Sequence, residues 1–332
     1  MARKILEVKN LSTSMKKDGN EIHIVDGLSF DVYEKESLGI VGESGCGKSL
    51  TALSIMGLIK TPLSVKADKL AFDDQYQLNK LSRKEYKAIR AVELSMIFQE
   101  PMTALNPVMK IGRQIEEVLK IHTKMNKNQR AEEVNRLIRE VGISRPEEIV
   151  KNYPHQLSGG MRQRIMIAMA IICQPKLLIA DEPTTALDVT IQAQIIDLMK
   201  DIQARNNMAL MLITHDLGVV NESCDRVAVM YAGRVVEIGK VKDVLHHPLH
   251  PYTQGLLASL PSTENQEERL SYIKGNVPSP GNWSKGCRFA ERCSMAMDIC
   301  HNTIPELKSD ENGVQVACWL YDEEKRLTES GE

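Results

Sequence analysis

The chain has 332 residues and a net charge of −2 at pH 7, from 42 Lys and Arg residues against 44 Asp and Glu residues. This length accommodates one large α/β core with a smaller appendage, and the nearly neutral, mixed charge lacks the basic excess that marks nucleic-acid-binding proteins. The longest apolar run, Ile165 to Cys173, is too short to span a bilayer and no apolar segment follows the first four residues, so we expect a soluble intracellular protein that would need other chains to cross a membrane.

The first elements in chain order are three strand-like segments, a glycine-rich loop and a helix. Apolar periodicity predicts strands at Ile5–Leu11, Ile22–Val32 and Ser37–Val41 and a helix at Lys48–Ile59. A glycine-rich loop between a strand and a helix is the context of a phosphate-binding P-loop, because its backbone N–H groups turn inward around a polyphosphate and the helix end adds positive potential. The motif consists of Gly42, Glu43, Ser44, Gly45, Cys46, Gly47, Lys48 and Ser49.

Two side chains of this loop carry the expected chemistry. Lys48 would reach the β- and γ-phosphates of a nucleotide, and the hydroxyl of Ser49 would bind Mg²⁺. Taken alone, the pattern also fits an ordinary glycine-rich turn. The motifs further along the chain favour the phosphate-binding interpretation.

The segment from about residue 101 to 163 is mostly helical by pattern and ends in a second glycine motif. Ser158, Gly159 and Gly160 stand where a long helical pattern begins, and bare backbone at a helix N-terminus can bind an anion. One chain needs only one phosphate cradle per nucleotide, whereas a dimer could clamp each nucleotide between the P-loop of one subunit and this motif of the other. We therefore expect a helical arm that reaches a partner subunit, with a plain helix N-cap as the alternative.

Downstream, strands and helices alternate as a parallel sheet requires. The pattern predicts a buried strand at Leu177–Asp181, a helix at Ile191–Ala204 and a strand at Ala209–Thr214. In such sheets ligands bind at the carboxyl edge of the strands. Asp181 is therefore expected to hold Mg²⁺, and Glu182 to act as the base or to orient the water that attacks the γ-phosphate.

Residues 261–332 are expected to form a separate unit, because a polar linker-like stretch and a segment rich in Pro and Gly come before most of its cysteines. A small, loop-rich unit needs a staple, and structural disulfides are not expected in a cytosolic chain. The cysteines could bind a metal as thiolates or pack in reduced form as small hydrophobes, and their spacing lacks the paired C-x-x-C of a zinc ribbon. Four of the seven cysteines lie here: Cys287, Cys293, Cys300 and Cys318.

From Ile5 to about Gly239, the motifs and their order resemble the nucleotide-binding subunit of an ATP-binding cassette (ABC) transporter. The resemblance implies an α/β fold with a P-loop ABC ATPase core in residues 1–260, which contains an antiparallel β subdomain and an inserted helical subdomain at about 101–163. A small Cys-containing C-terminal extension would follow at 261–332. The resemblance also implies ATP and Mg²⁺ as ligands and ATP hydrolysis as the activity.

The same resemblance implies roles for four further residues. Gln99 would contact Mg²⁺ and the attacking water, His215 would contact the γ-phosphate, and Asp188 would touch the opposing subunit. Met15 occupies the position where the family usually has an aromatic residue that stacks on adenine. A thioether would then have to pack against the base, which it does less well than a flat ring.

Four runs resemble the oligopeptide/dipeptide importer branch more closely: residues 98–107, 153–164, 181–190 and 247–253. This resemblance implies peptide import through two separate transmembrane permease subunits, with the ATPase at the cytoplasmic face of the membrane. It also implies a heterodimer with a paralogous ATPase subunit and an extracytoplasmic substrate-binding protein. For the four cysteines it implies a [4Fe–4S] cluster held by thiolates.

Three other functions are open at this point. Close relatives of this branch import nickel or metal chelates, and a chain that never touches the cargo does not decide between cargoes. A non-transport cassette ATPase that acts on nucleic acid or ribosomes usually has a coiled-coil insertion or a second cassette, and neither is visible, so we expect no nucleic-acid partner. An iron–sulfur redox protein that binds nucleotide is the third, and the complete set of hydrolytic motifs argues against it.

Overall fold

Two β-sheets organise the residues that the computed structural model describes, which are 2–99, 104–185, 187–259 and 272–322. None of the described helices is both long and apolar enough to cross a membrane. The strands are β1 (Lys4–Lys17), β2 (Asn20–Tyr33), β3 (Ser37–Val41), β4 (Leu63–Lys66), β5 (Lys69–Phe72), β6 (Tyr76–Gln77), β7 (Leu94–Ile97), β8 (Leu177–Asp181), β9 (Ala209–Ile213), β10 (Arg226–Tyr231), β11 (Arg234–Lys240), β12 (Lys308–Ser309) and β13 (Gln315–Val316). The helices are α1 (Lys48–Ile55), α2 (Arg83–Ile89), α3 (Ile111–His122), α4 (Lys127–Glu140), α5 (Pro146–Ile149), α6 (Gly159–Ile171), α7 (Val189–Asn206), α8 (Leu217–Ser223), α9 (Val241–His246), α10 (Pro251–Ala258) and α11 (Asp298–Asn302).

The larger sheet has the strand order β12-β13-β11-β10-β3-β9-β8-β7. The strands from β10 to β7 pair in parallel, whereas β11, β13 and β12 add antiparallel strands at one edge. The P-loop follows β3, and the other motif loops follow its sheet neighbours β9, β8 and β7. Because the carboxyl ends of parallel strands meet at one edge, this order brings the motifs together.

The parallel strands are mostly apolar and are buried along nearly their whole length because both of their faces are covered. In β8, Leu177 and Ile179 belong to the core shared with the smaller sheet and α1. Leu178 and Ala180, which alternate with them, belong to the core shared with helices α3, α4, α6 and α7. Successive side chains of a strand point to opposite faces, so one short strand contributes to both cores.

The smaller sheet has the order β2-β1-β5-β6, with β4 also paired to β1, and all of its pairs are antiparallel. Its first two strands are longer than their apolar patterns predict, because they continue as a hairpin through exposed polar residues to a turn at Asp18 and Gly19, both with positive φ. Helix α1 is shorter than predicted and ends at Ile55, since Gly57 adopts a φ of 61°. The α/β fold with an antiparallel subdomain is confirmed.

The expected helical insertion contains α3, α4 and α5 and leads into α6. Its first expected residues, 101–103, lie outside the described part of the chain. Helix α4 begins with a capping box, in which Asn126 and Gln129 exchange hydrogen bonds with each other's backbone N–H groups. The buried faces of α3, α4 and α6 meet in one apolar core, so these helices pack as a unit against the parallel sheet.

Residues 272–322, the described part of the C-terminal extension, share a core with the larger sheet rather than standing apart from it. Val316 of β13 pairs with Glu237 of β11, and Phe289 packs in the same apolar cluster as Tyr231 and Tyr252. The boundary expected near residue 260 lies outside the described residues. The extension is therefore built onto the edge of the sheet next to β10 and β3.

Candidate functional site

The P-loop leaves β3 among the parallel strands and enters α1. At Gly42, φ is 152° and a Cβ would lie 2.2 Å from the backbone oxygen of Met230 in β10. At Gly47, the residue before α1, φ is 103°. Only glycine adopts such angles without strain. The loop can therefore pack closely against the neighbouring strand and turn sharply into the helix, as phosphate binding by backbone N–H groups requires.

Lys48 supplies a cation inside the curve of this loop. Its side chain is buried, and Nζ donates hydrogen bonds to the carbonyl oxygens of Gly42 at 2.7 Å and Glu43 at 3.1 Å. From this position the Lys48 ammonium could exchange its carbonyl partners for phosphate oxygens without a large movement of α1. The contact of Lys48 with the β- and γ-phosphates stays a prediction.

The two predicted Mg²⁺ ligands from the P-loop and β8 are in direct contact. Ser49 Oγ donates to Asp181 Oδ1 at 3.0 Å. Burial raises the pKa of Asp181 and outweighs the Ser49 hydrogen bond, and the neighbouring Glu182 carboxylate adds to the rise. A buried carboxylate with a raised pKa is stabilised by a cation, so a hydroxyl and a carboxylate here suit Mg²⁺.

Glu182 is the centre of the predicted catalytic group. Gln99 Nε2 and Thr185 Oγ1 both donate to Glu182 Oε2 at 2.9 Å. On the other carboxylate oxygen, His215 Nδ1 lies 3.4 Å from Glu182 Oε1. Gln99 follows β7, Glu182 follows β8 and His215 lies two residues beyond β9. The side chains of these three residues, which are far apart in sequence, therefore meet at one edge of the sheet.

The environment of Glu182 favours its charged form. Burial opposes ionisation, but the hydrogen bonds from Thr185 and His215 outweigh it, so the pKa of Glu182 lies below its usual value. The residue also has a φ of 45°, a left-handed conformation that costs about 1–3 kcal/mol for a residue other than glycine. A charged carboxylate held in a strained conformation suits a proton acceptor or water-orienting group.

The Ser-Gly-Gly motif lies at the N-terminus of α6 and contacts the start of α7. Ser158 caps α6 by accepting a hydrogen bond from the backbone N–H of Met161 at 3.3 Å. A Cβ at Gly160 would lie 3.0 Å from Ile191, and one at Gly159 would lie 3.6 Å from Leu187. Asp188 in turn caps α7 by accepting from Ile191 N–H. The structure thus places the Ser-Gly-Gly motif close to Asp188, the residue predicted to touch the opposing subunit.

Met15 lies in the smaller sheet, half-buried, where it pairs with Ile22 of β2 and Leu63 of β4. The strand of this sheet that borders the P-loop is β2, since a Cβ at Gly47 would lie 3.2 Å from Val25. Contact between Met15 and adenine stays a prediction.

Sequence reasoning missed three residues that hold the site. Thr185 donates to Glu182, and the Tyr252 hydroxyl accepts a hydrogen bond from the backbone N–H of Glu43 at 2.9 Å. Arg292, in the extension, donates to both carboxylate oxygens of Glu43 at 2.7 and 3.0 Å. Thr185 and Tyr252 stand in runs with family resemblance, but Arg292 lies in loop-rich sequence, where no periodic pattern reveals a long-range partner.

The [4Fe–4S] prediction for the extension is wrong. Among the described residues, no group of three or more His, Cys, Asp or Glu side chains could hold a metal ion. Burial raises the pKa of Cys287 to about 11 and that of Cys318 to about 12, and it also raises the pKa of Cys293. Cluster ligation needs thiolates, whereas burial here favours neutral thiols. Cys287, Cys293 and Cys300 pack instead as small apolar groups in the clusters that contain Ala290, Phe289 and Trp319.

Two protein families match this chain. The ABC transporter family matches residues 25–185, and the family of the oligopeptide/dipeptide transporter C-terminal region matches residues 236–300. The oligopeptide transport ATP-binding protein AppD of Bacillus subtilis (strain 168) is 52% identical over 320 residues, which cover 96% of this chain and 98% of AppD. The dipeptide transport ATP-binding protein DppD of the same organism is 50% identical over 324 residues, which cover 96% of each chain.

Solved structures show the same architecture. The post-hydrolysis dimer of the ATP-binding cassette MJ0796, bound to ADP and Pi, matches with a TM-score of 0.61 and 26% identity, over 71% of this chain and 98% of that one. CbiO1 from Clostridium perfringens, part of the ABC transporter complex cbiONQ, matches with a TM-score of 0.62 and 26% identity, over 74% of this chain and 92% of that one. The resemblance drawn from the motifs is confirmed: the chain belongs to the ABC transporter family, among the ATP-binding proteins of oligopeptide and dipeptide transport.

Proposed function

We propose that this chain hydrolyses ATP to energise the uptake of oligopeptides or dipeptides through separate membrane permease subunits. The observation that carries the proposal is the meeting of a P-loop lysine, the Ser49–Asp181 pair and the Gln99–Glu182–His215 group at one edge of a parallel sheet. The names of the relatives, oligopeptide and dipeptide transport ATP-binding proteins, support peptides as the cargo class.

Nucleotide binding would use the P-loop and α1. The backbone of residues 42–47 and the N-terminus of α1 would hold the phosphates, and Lys48 would leave its two carbonyl partners to contact the β- and γ-phosphates. Ser49 and Asp181 have the hard oxygen atoms that Mg²⁺ prefers, and they already lie 3.0 Å apart. When bound, Mg²⁺ would neutralise charge on the β- and γ-phosphate oxygens.

Hydrolysis would use Glu182 as the base. The oxygen of a water molecule would attack the γ-phosphorus while the bond to the β-phosphate oxygen breaks, and the water proton would pass to the Glu182 carboxylate. Gln99 and His215 contact opposite oxygens of that carboxylate. They are therefore positioned to orient the water and to contact the γ-phosphate once it is present.

The proposed dimer assembly is based on the Ser-Gly-Gly motif at the start of α6. Ser158, Gly159 and Gly160 would close on the nucleotide held by the P-loop of a partner subunit, with Asp188 at the same contact. We further propose that the partner is a paralogous ATPase, that two permease subunits anchor the pair at the cytoplasmic face of the membrane, and that an extracytoplasmic binding protein delivers the substrate. The C-terminal family match and the named relatives support the coupling to membrane permease subunits.

The test is peptide uptake by the reconstituted transporter with wild-type chain or with Glu182→Gln. The amide cannot accept the proton, so turnover and uptake should fall together by roughly 100-fold or more, while ATP affinity stays within about twofold because the binding contacts are intact. Peptide stimulation of ATPase activity should be present in the wild type.

Two results would overturn the proposal. Near-wild-type turnover in Glu182→Gln would remove Glu182 from the chemistry. Stimulation by nickel or a metal chelate, with none by di- to pentapeptides, would keep the ATPase but replace the cargo class.

A further inference from the structure

A partly buried ion pair connects the C-terminal extension to the P-loop. The Arg292 guanidinium meets the Glu43 carboxylate side on, with Nη1–Oε2 at 2.7 Å and Nη2–Oε1 at 3.0 Å. The Arg292 side chain is 7% exposed and that of Glu43 is 28% exposed. Two parallel, charge-assisted hydrogen bonds of this kind fix direction as well as distance.

Arg292 is itself held in place by several further contacts. Its Nε donates to the carbonyl of Lys274 at 2.9 Å, and Nη2 donates to the carbonyl of Gly275 at 3.2 Å. Nη1 also lies 3.3 Å from the hydroxyl of Tyr231, the last residue of β10. The hydrogen bond to Glu43 is the main reason that the pKa of Arg292 is raised. The guanidinium is therefore a rigid part of the extension when it reaches Glu43.

Glu43 carries this restraint into the P-loop. Its backbone N–H donates to the Tyr252 hydroxyl, its side chain accepts from Arg292, and its carbonyl accepts from Lys48 Nζ at 3.1 Å. The residue is thus held at three points, two of them from residues more than 200 positions away in sequence. Fixing Glu43 fixes one of the two carbonyls that set the position of the Lys48 ammonium.

The ion pair also neutralises a negative charge close to where the phosphates would bind. Glu43 places a carboxylate in a loop whose ligand carries several negative charges, and like charges at short distance weaken binding. A guanidinium with two contacts to that carboxylate cancels its charge, and it also limits the freedom of the loop before the nucleotide arrives.

We propose that Arg292 is a positioning residue for ATP binding, through which the extension holds the P-loop in its binding conformation and neutralises Glu43. The inference deepens the proposed ATPase function and rests on it. It makes the extension a part of the nucleotide site rather than an appendage.

The experiment uses the full chain assembled with its transporter partners, and it compares four variants. These are Arg292→Ala, Arg292→Lys, Glu43→Gln and the double variant Glu43→Gln/Arg292→Ala. Arg292→Ala should raise KM for ATP about tenfold and change kcat by less than about twofold, the pattern expected when binding contacts rather than transition-state contacts are lost. Arg292→Lys should show a smaller rise, because it keeps the charge but loses the bidentate contact. In the double variant the rise should be less than the product of the single effects, since each partner acts through the other.

Arg288→Ala is the matched control. Arg288 is an equally buried arginine of the extension, 8% exposed against 7% for Arg292. It also joins the extension to the core, but its partners are Asp26 and the carbonyl of Ala232. Its replacement should lower the thermal stability of the assembled chain as much as Arg292→Ala does while leaving KM for ATP within about twofold of wild type.

Two results would overturn the inference: an equal rise of KM in Arg288→Ala, which would trace the effect to general loosening, or an unchanged KM in Arg292→Ala. Lys48→Ala separates this inference from the ATPase proposal. If Lys48→Ala abolishes ATP binding while the Arg292 variants bind normally, only the role of Arg292 fails. If Lys48→Ala binds ATP as wild type does, the ATPase proposal fails as well.

Discussion

The carboxylate of Glu182, the proposed base, is contacted by three side chains. Gln99 and Thr185 share one of its oxygens, and His215 faces the other. A carboxylate offers about four lone-pair positions, so a water molecule can reach Glu182 beside these partners. The side chain of His215 is 66% exposed, so it has room to turn toward a γ-phosphate. Movement of His215 toward the nucleotide would then free Oε1 of Glu182, the proposed base, for the water molecule that attacks the γ-phosphate.

Lys48→Ala should reduce ATP affinity by about 100-fold, because losing the buried charged partner of an anion costs roughly 2–5 kcal/mol. Affinity can be measured by titration calorimetry on the full chain, with circular dichroism to show that the fold is retained. Lys66→Ala is the control, since Lys66 forms an exposed ion pair with Glu21, and it should bind as wild type does. Unchanged affinity in Lys48→Ala would contradict the P-loop assignment.

At the scale of elements, α6 and α7 form a single platform, which we propose as the contact surface for the partner subunit. The N-terminus of α6 carries Ser158, and a Cβ at Gly160 would lie only 3.0 Å from Ile191 in the first turns of α7, where Asp188 is the cap. Both helices pack on the same apolar core as the parallel strand that ends at Asp181. A shift of the parallel sheet at the nucleotide would therefore be transmitted to this platform.

Ser158→Arg should leave ATP binding to the isolated chain unchanged and should suppress turnover in the assembled transporter by about 100-fold or more, because bulk at this point blocks closure on the partner's nucleotide. Ser158→Ala is the matched control, since it removes the N-cap at a cost of about 1 kcal/mol without adding bulk. Binding by equilibrium dialysis and steady-state turnover separate the two steps. Equal loss of ATP binding in the isolated arginine variant would mean that the motif serves its own subunit's nucleotide.

At the scale of the whole molecule, the β10–β11 hairpin, α10 and the extension meet at a buried junction. His250 is 1% exposed and caps α10 by accepting from the backbone N–H of Tyr252. Its own backbone N–H donates to Glu237 of β11, and its ring lies 5.8 Å from that of Phe289 in the extension. Tyr252 reaches on to the P-loop, so this junction supports the nucleotide site from behind.

The junction should make the protein sensitive to acid. Burial lowers the pKa of His250 to about 3, whereas an unfolded histidine titrates near 6.5, so the unfolded chain binds one more proton between these pH values. The contribution of this pKa shift to the free energy of unfolding is therefore fully present above about pH 6.5. It decreases by about 1.4 kcal/mol per pH unit as the pH falls toward 3.

The variant His250→Gln lacks the imidazole that binds this additional proton in the unfolded chain. Urea unfolding at pH 7, 6 and 5 should show the variant less stable at pH 7, with the gap to wild type closing as the pH falls. Glu237, whose pKa burial raises, titrates in both chains and leaves the comparison intact. Parallel stability curves for the two chains would contradict the role of His250.

The sequence by itself determined the parts whose chemistry is local. The P-loop, the carboxylates after β8 and the alternation of strands and helices follow from spacing and apolar runs, because a strand end and a helix start are set by neighbouring residues. Family resemblance then supplied Gln99 and His215, which have no local pattern of their own.

Tertiary structure decided which residues meet. The contacts of Arg292 with Glu43 and of Tyr252 with the P-loop backbone join positions more than 200 residues apart, and no periodicity encodes such pairs. Burial also bears on the cysteines: the sequence left metal ligation and reduced packing open for all four, and in the packed extension desolvation favours neutral thiols at Cys287 and Cys318. Local pattern fixes the elements, whereas pairing and desolvation depend on the packing of the whole chain.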